Sequence, residues 1–423
     1  MVKQKVAIVG SGISGLTTAY LLNNKYDVTV YEASHEIGGH TATVEVSDRE
    51  GMQHNIDTGF IIFNNKTYPN FSRLMNRLEV ERLPIDMDFS VYNNDTGYEY
   101  MPFTANTYFA QRENLFSRRH WKLLHEILSF NKSIDTNYKS GLLDDFCTVS
   151  EYVSQYGYTD NVLENFIIPS SAAIWSLDHT SILQMPIKFY AQFFVNHGLL
   201  STETALQWYT VKSGARSYHV PLTAAFKNNI ITDTPIERVV RLDNQVAIHM
   251  VGNTIPQFFD HVVLATHSPE ALTLLQDSTD IEKEILGAIR YQSTAIVVHT
   301  DDSILPKNKL CKVSWNCATN NKHQQMCTYN SNMLHGLHSS VNFWVTVNPN
   351  ISIDESKIIQ RKVFAHPLVT RDSIQAQKRK SEINGYNRVW FAGAYWGNGF
   401  HEDGVVSAID IAKGLGVDTA ALL

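Results

Sequence analysis

Hydrophobic positions along the chain follow two periods, and where they switch they predict the elements. Residues 6–9 form a short continuous apolar run, residues 16–22 continue as a helix and residues 28–31 form a second strand, a complete βαβ unit. Residues 41–46 and 55–64 read as further strands. From about residue 69 helical stretches alternate with aromatic segments, and residues 114–131 form the clearest amphipathic helix, with Trp121, Leu124, Ile127 and Leu128 on one face and Arg118, Arg119 and Lys122 to its polar side. Pro169 is expected to break a helix within 161–178, and Asn196-His197-Gly198 to turn the chain after another. Around Gly214 a strand, a turn and a helix follow in order; residues 236–240 and 245–250 form a β-pair, and 261–266 is a buried strand ending in the small pair Ala265 and Thr266. Strands are expected at 295–300, 341–347 and 388–391, and a helix over 405–415. The fold class is therefore α/β plus α+β. A Rossmann-type domain is assembled from 1–75, 209–280 and 384–423, and a discontinuous second domain of mixed sheet and helices from 76–208 and 281–383.

The first βαβ unit carries chemistry. Gly10, Ser11, Gly12, Ile13, Ser14 and Gly15 spell GxGxxG between strand and helix: Gly10 permits the tight turn, Gly12 lets backbone approach a pyrophosphate, and Gly15 lets helix and strand pack closely. The helix N-terminus then favours the anion. Glu32 closes the second strand, where its carboxylate can bond both hydroxyls of an adenosine ribose. After it, Ala33 to His40 brings Gly38 and Gly39 to a second loop, and the next strands do not continue the βα alternation of a nicotinamide domain, which points to FAD rather than NAD. Asp57, Thr58 and Gly59 mark a turn that faces a flavin or is a plain turn. Gly393 and Ala394 open a late turn, and residues 397–404 lead into a second glycine-preceded helix, with Asp403 an N-cap or a flavin neighbour.

Composition narrows the partners. The 423 residues are 43% apolar and 18% charged, a globular balance with room for two cores. A net charge of −7 without a basic run argues against nucleic-acid binding. Cys147, Cys311, Cys317 and Cys327 have no CxxC spacing, so the expectation is reduced thiols, no metal and a cytoplasmic protein. No apolar run is long enough to span a bilayer, and no cleavable leader is read at the N-terminus. The basic 114–131 helix reads either as a core helix or as a peripheral membrane contact.

GSGISG, Glu32, ASHEIGGH, HVVLAT and FAGAYWGNGFHEDGVVSA together resemble the flavin-containing amine oxidase superfamily, which includes phytoene desaturases and protoporphyrinogen oxidases. IDMDFSVY, AAIWSLDHTSILQMP, FFVNHGLL, QWYTVKSGARSY and GAYWGNGFHEDG are similar to a bacterial subgroup of FAD-dependent oxidoreductases encoded beside, or in plants fused to, cyclopropane-fatty-acyl-phospholipid synthase. The resemblance implies non-covalent FAD, with Val239 by the adenine and Gly393, Gly404 and Val405 by the flavin. It also shows two departures from amine oxidases: residues 294–300 lack the lysine that positions a water at the flavin, and no cysteine stands where the covalent type attaches it. The expected function is removal of a hydride from an apolar small molecule or lipid chain, with His401 as proton acceptor and Trp175, His197, Trp396 and Phe400 around the substrate. An amine oxidase producing peroxide, or a non-catalytic FAD-bound partner of a lipid-modifying enzyme, are the alternatives.

Overall fold

The computed structural model describes residues 2–200 and 206–420. Its organising element is a parallel sheet of five strands in the order Ile230–Ile231, Asp27–Tyr31, Lys5–Val9, His261–Leu264 and Val389–Phe391. The Lys5–Val9 strand is apolar at successive positions because both of its faces are covered. Val6 and Ile8 meet Leu16, Ala19 and Leu22 of the helix Ile13–Leu22, while Ala7 and Val9 join Val239, Val246, Ile248 and Phe259 of an antiparallel three-stranded sheet. Strand order runs outward in opposite directions from Lys5–Val9, which creates a crevice at its carboxyl end, where Gly10 lies.

The second layer is a seven-stranded mixed sheet, ordered Ile358–Pro367, Tyr291–His299, Trp344–Val347, Gln325–Asn330, Trp315–Thr319, Phe89–Asn93 and Glu99–Tyr100. A helical cluster stands beside it, its core formed by Leu123, Ile127, Phe130 and Ile134 of Arg118–Lys139 together with Ile167, Tyr190 and Phe194.

Local outcomes differ from the sequence pattern in four places. The long helix begins at Arg118, capped by Ser117, and runs to Lys139, because residues 112–116 close into a tighter 3-10 turn first. Its buried stripe is Leu123, Ile127, Phe130 and Ile134, so Trp121 and Leu128 are left outward. Pro169 does not break its helix: it sits at the first turn of Ile168–Trp175, where the missing N–H costs nothing, after a π-helical turn Leu163–Ile167. The expected 55–64 strand is two pieces, Gln53–Asp57 and Phe63–Asn64. The last helix starts at His401 rather than 405, and Asp403 is in its first turn, its carboxylate accepting the Phe400 N–H at 2.9 Å instead of standing at the N-cap. Among the described residues no helix is long and apolar enough to cross a membrane.

Candidate active site

A cavity of about 2300 Å³ runs from the carboxyl end of the parallel sheet to the helical cluster. At its first end the backbone of Gly10, Ser11, Gly12, Ile13 and Ser14 forms the wall, opposite Gly38, Gly39 and His40. Gly12 and Gly38 pair as a parallel bridge, locking the two loops together. Gly12 caps the Ile13–Leu22 helix without any side-chain bond, so the first-turn amides are left to a ligand. A Cβ built on Gly12 would meet nothing within 4 Å, whereas one on Gly15 would lie 2.0 Å from the Gly10 carbonyl oxygen. The two glycines thus divide the work: Gly15 is needed by the fold, and Gly12 keeps the cavity open. Glu32 is oriented by three donors, the Ser11 N–H at 3.0 Å, the Ser11 hydroxyl at 2.5 Å and the Ser34 N–H at 2.9 Å, and it lines the cavity beside Ala33. Free first-turn amides at a helix N-terminus beside a fixed carboxylate suit an anionic dinucleotide, and the residues present fit FAD.

Midway, Ala265, Thr266, Gly59, Gly393, Ala394, Phe400 and His401 line the wall. The helix His401–Gly414 points its N-terminus here beside that of Ile13–Leu22. The two helices approach closely because position 404 is glycine: a Cβ there would come 2.7 Å from Ile13 Cγ2 and 2.9 Å from Ser14 Oγ. Gly404 and Val405 are therefore packing residues that bring the helix end to the cavity, and neither is on its wall.

Four more expected site residues are elsewhere. Asp57 is fully buried, accepting the Thr43 hydroxyl at 2.5 Å and the Ala215 N–H at 2.9 Å; it ties the Gln53–Asp57 strand to the Gly214 turn, and Thr58 bonds the Ala42 carbonyl. Val239 is in the core beneath the sheet, and Thr234, Pro235 and Ile236 face the cavity in its place. Trp396 turns away, its Nε1 donating to the Phe391 carbonyl at 3.0 Å and its ring near the Lys380 ammonium. Trp175 and His197 do line the cavity. His197 is held by a bond from Nδ1 to the Phe193 carbonyl and a 3.8 Å stack on Phe193, and burial pushes its pKa down to about 4.

His401, the expected proton acceptor, lines the cavity but is enclosed by protein. Its ring stacks on Phe60 at 3.6 Å, and Nε2 is within 3.0 Å of the Thr41 hydroxyl and 3.3 Å of Tyr218 OH. Burial, reinforced by His40 and His219, holds its pKa well below the ordinary histidine value, so the neutral form persists where a base working near pH 7 would exchange protons. Replacing His401 with glutamine is expected to cost about 1–3 kcal/mol of stability at pH 7 through the lost stack and bonds. The pH profile of flavin reduction should stay in place. Below pH 6.5 the unfolded state takes up a proton that the folded imidazole refuses, so the wild type loses stability as pH falls; the variant, lacking that group, should lose less between pH 7 and 5, as read by thermal unfolding.

Three side chains absent from the sequence reading converge on the middle of the cavity. His40 lies 4.8 Å from Phe364, 5.3 Å from His366 and 5.8 Å from His267, ring centre to ring centre. Burial and the neighbouring imidazoles push His40 down to about 3 and His366 to about 4, so these two are neutral, and among the described residues His40 Nε2 has no hydrogen-bond partner. His267 had a signal, as it follows the small pair that ends a parallel strand; His366 and Phe364 had none, because only the pairing of Ile358–Pro367 with Tyr291–His299 brings them here. The far end is walled by Phe103, Tyr108, Phe109, Leu124, Ile127, Phe166, Ile174, Phe193 and Phe194, with Asp86 and Asp88 at one side.

Comparison with protein families gives the class. The model for flavin containing amine oxidoreductases matches residues 13–361, and the chain belongs to that family. It is an FAD-dependent oxidoreductase. Among solved structures it is similar to a CLA-producing fatty acid isomerase from P. acnes (TM-score 0.68, 14% identity, 97% of this chain and 98% of that one). It is also similar to cyclohexylamine oxidase from Brevibacterium oxydans IH-35A (0.67, 15%, 98% and 100%) and to putrescine oxidase bound to putrescine (0.69, 12%, 99% and 100%). At these identities the likeness is one of fold. A comparison with curated protein sequences finds no match.

Proposed function

We propose that the enzyme oxidises a fatty-acyl or modified lipid chain. The observation that carries this reading is the far end of the cavity, where the lining between Phe103 and Phe194 is mostly aromatic and aliphatic, in a chamber of about 2300 Å³ that also has the flavin end on its wall. Bound flavin supplies the hydride acceptor. The chain's own residues hold and shield: the Gly12 loop and Glu32 fix the cofactor, the neutral His40–His366 pair adds hydrogen-bonding capacity without charge, and the apolar wall orients one carbon and excludes water. That a fatty acid isomerase shares the fold is consistent with an acyl substrate.

A second reading, oxidation of an amine, is favoured by Asp86 and Asp88, two carboxylates on the same wall; burial and Asp86 raise the Asp88 pKa. Anaerobic mixing decides between them. Unsaturated or cyclopropane acyl phospholipids are expected to bleach the visible flavin band, and alkyl mono- and diamines to leave it unchanged. Bleaching by amines alone overturns the lipid reading.

The mouth of the cavity supports delivery from a membrane. Trp121 (49% exposed) and Leu128 (62%) both line the cavity and face outward, with Phe116 (91%) beside them and Arg118, Arg119 and Lys122 exposed on the same helix turns. The protein should co-sediment with anionic vesicles at low salt. Binding should fall about tenfold on adding physiological salt, since surface charges are screened over about 8 Å there. Replacing Phe116 and Leu128 by serine should weaken it again, and absence of sedimentation at low salt removes the membrane step.

A further inference from the structure

Away from the cavity mouth, three side chains from three separate elements meet. Glu164 is in the π-helical turn Leu163–Ile167, His179 opens the helix His179–Gln184, and His323 is in the turn joining Trp315–Thr319 to Gln325–Asn330, where its φ is +59°. Each carboxylate oxygen of Glu164 faces one imidazole: Oε1 is 2.8 Å from His179 Nε2 and Oε2 is 2.9 Å from His323 Nδ1. The two rings are 4.9 Å apart, and the three donor atoms all lie within 4.8 Å of one another. Among the described residues the ion-pair partners of Glu164 are these two histidines, with no lysine or arginine to neutralise it.

A tetrahedral divalent ion with bonds of about 2.1 Å places its ligand atoms about 3.4 Å apart. The two observed His–Glu distances are about half an ångström shorter, so the side chains open slightly to admit the ion, and rotation of the exposed His323 ring would close the His–His gap. Two imidazoles and a carboxylate suit zinc and its neighbours rather than calcium or magnesium, which prefer all-oxygen sites. We propose that Glu164, His179 and His323 bind one divalent cation of the zinc class, with water at the open position.

The consequence is mechanical. The ion pins the turn at residues 320–324 to the segment that runs from Glu164 to His179, and that segment carries Phe166, Ile174 and Trp175 on the cavity wall. Occupancy stiffens one wall of the substrate chamber from outside, without touching the flavin end. Nothing here depends on whether the substrate is a lipid or an amine.

The test uses chelator-treated, FAD-loaded protein titrated with Zn²⁺ by calorimetry and with Co²⁺ by visible absorbance. One equivalent should bind, with cobalt bands of a tetrahedral or five-coordinate nitrogen–oxygen site, and zinc should raise the Tm. Glu164→Gln and His323→Ala should each weaken binding by about 100-fold and remove the Tm rise. His323 is on an exposed turn, so that variant tests the site without threatening the fold, and unchanged flavin content and far-UV circular dichroism confirm it. No saturable single-equivalent binding overturns the assignment. So does wild-type affinity in both variants, because the ion then sits elsewhere among the 17 histidines.

Discussion

Gly12→Val is expected to give a folded protein that no longer holds FAD. The backbone at Gly12 is ordinary for any residue, with φ −66°, and the space where a side chain would begin contains no atom within 4 Å, so the substitution costs the fold little. That empty space is the cavity itself, between the first-turn amides and the Gly38–Gly39 loop. Branched carbons there would fill the space next to the first-turn amides and keep a pyrophosphate from reaching them. Losing those contacts should weaken binding by more than about 4 kcal/mol, roughly a thousandfold. The variant should elute as a monodisperse colourless protein with wild-type circular dichroism that stays colourless when incubated with excess FAD. Gly15→Val makes the contrast, because its Cβ would fall 2.0 Å from a backbone oxygen and the helix could not seat on the strand. FAD retained by the Gly12 variant would mean that the cofactor does not approach through this loop.

How far the site could be read from the chain follows from how local each interaction is. The Gly10–Gly15 turn, Glu32 and the strands around them are set by neighbours within about thirty residues, and Gly10 to Ser14 and Glu32 line the cavity. Asp57 has equally suggestive neighbours in sequence, yet its side chain answers to Ala215, 158 residues further on, and is buried away from the cavity; Trp396 is turned away by a nearer partner, the Phe391 carbonyl, which no spacing rule foretells. His401 lines the cavity, but its basicity depends on burial among residues from separate segments such as Phe60 and Tyr218, and after that on the nearby imidazoles of His40 and His219. The helix over 118–139 shows the same limit: periodicity located its apolar residues, and tertiary packing alone decided that Leu123 and Phe130 face the core while Trp121 and Leu128 face the cavity mouth. His366 and Phe364 were invisible because the edge strand that carries them reaches the cavity only through its pairing in the seven-stranded sheet.

Ile174→Trp is expected to shorten the chain the enzyme accepts. Ile174 is half-buried on the cavity wall, on the helix Ile168–Trp175, whose remaining residues are all buried, so a larger ring has the cavity as its free direction. Indole in place of a butyl group displaces the room for about three or four methylenes of a bound acyl chain. Each buried methylene contributes about 0.8 kcal/mol, so long-chain substrates should lose about 3 kcal/mol in kcat/KM, between one and two hundredfold. Chains too short to reach the ring should react at the wild-type rate, and FAD content should be unchanged because the cofactor cradle is built from other elements. The pattern to look for is a dependence on chain length that breaks at one carbon number in the variant and not in the wild type. A uniform loss across all lengths would mean that the helix had moved. No loss at any length would mean that the substrate does not enter the apolar end at all, and a compact amine held by Asp86 and Asp88 would then account for the cavity better than a lipid.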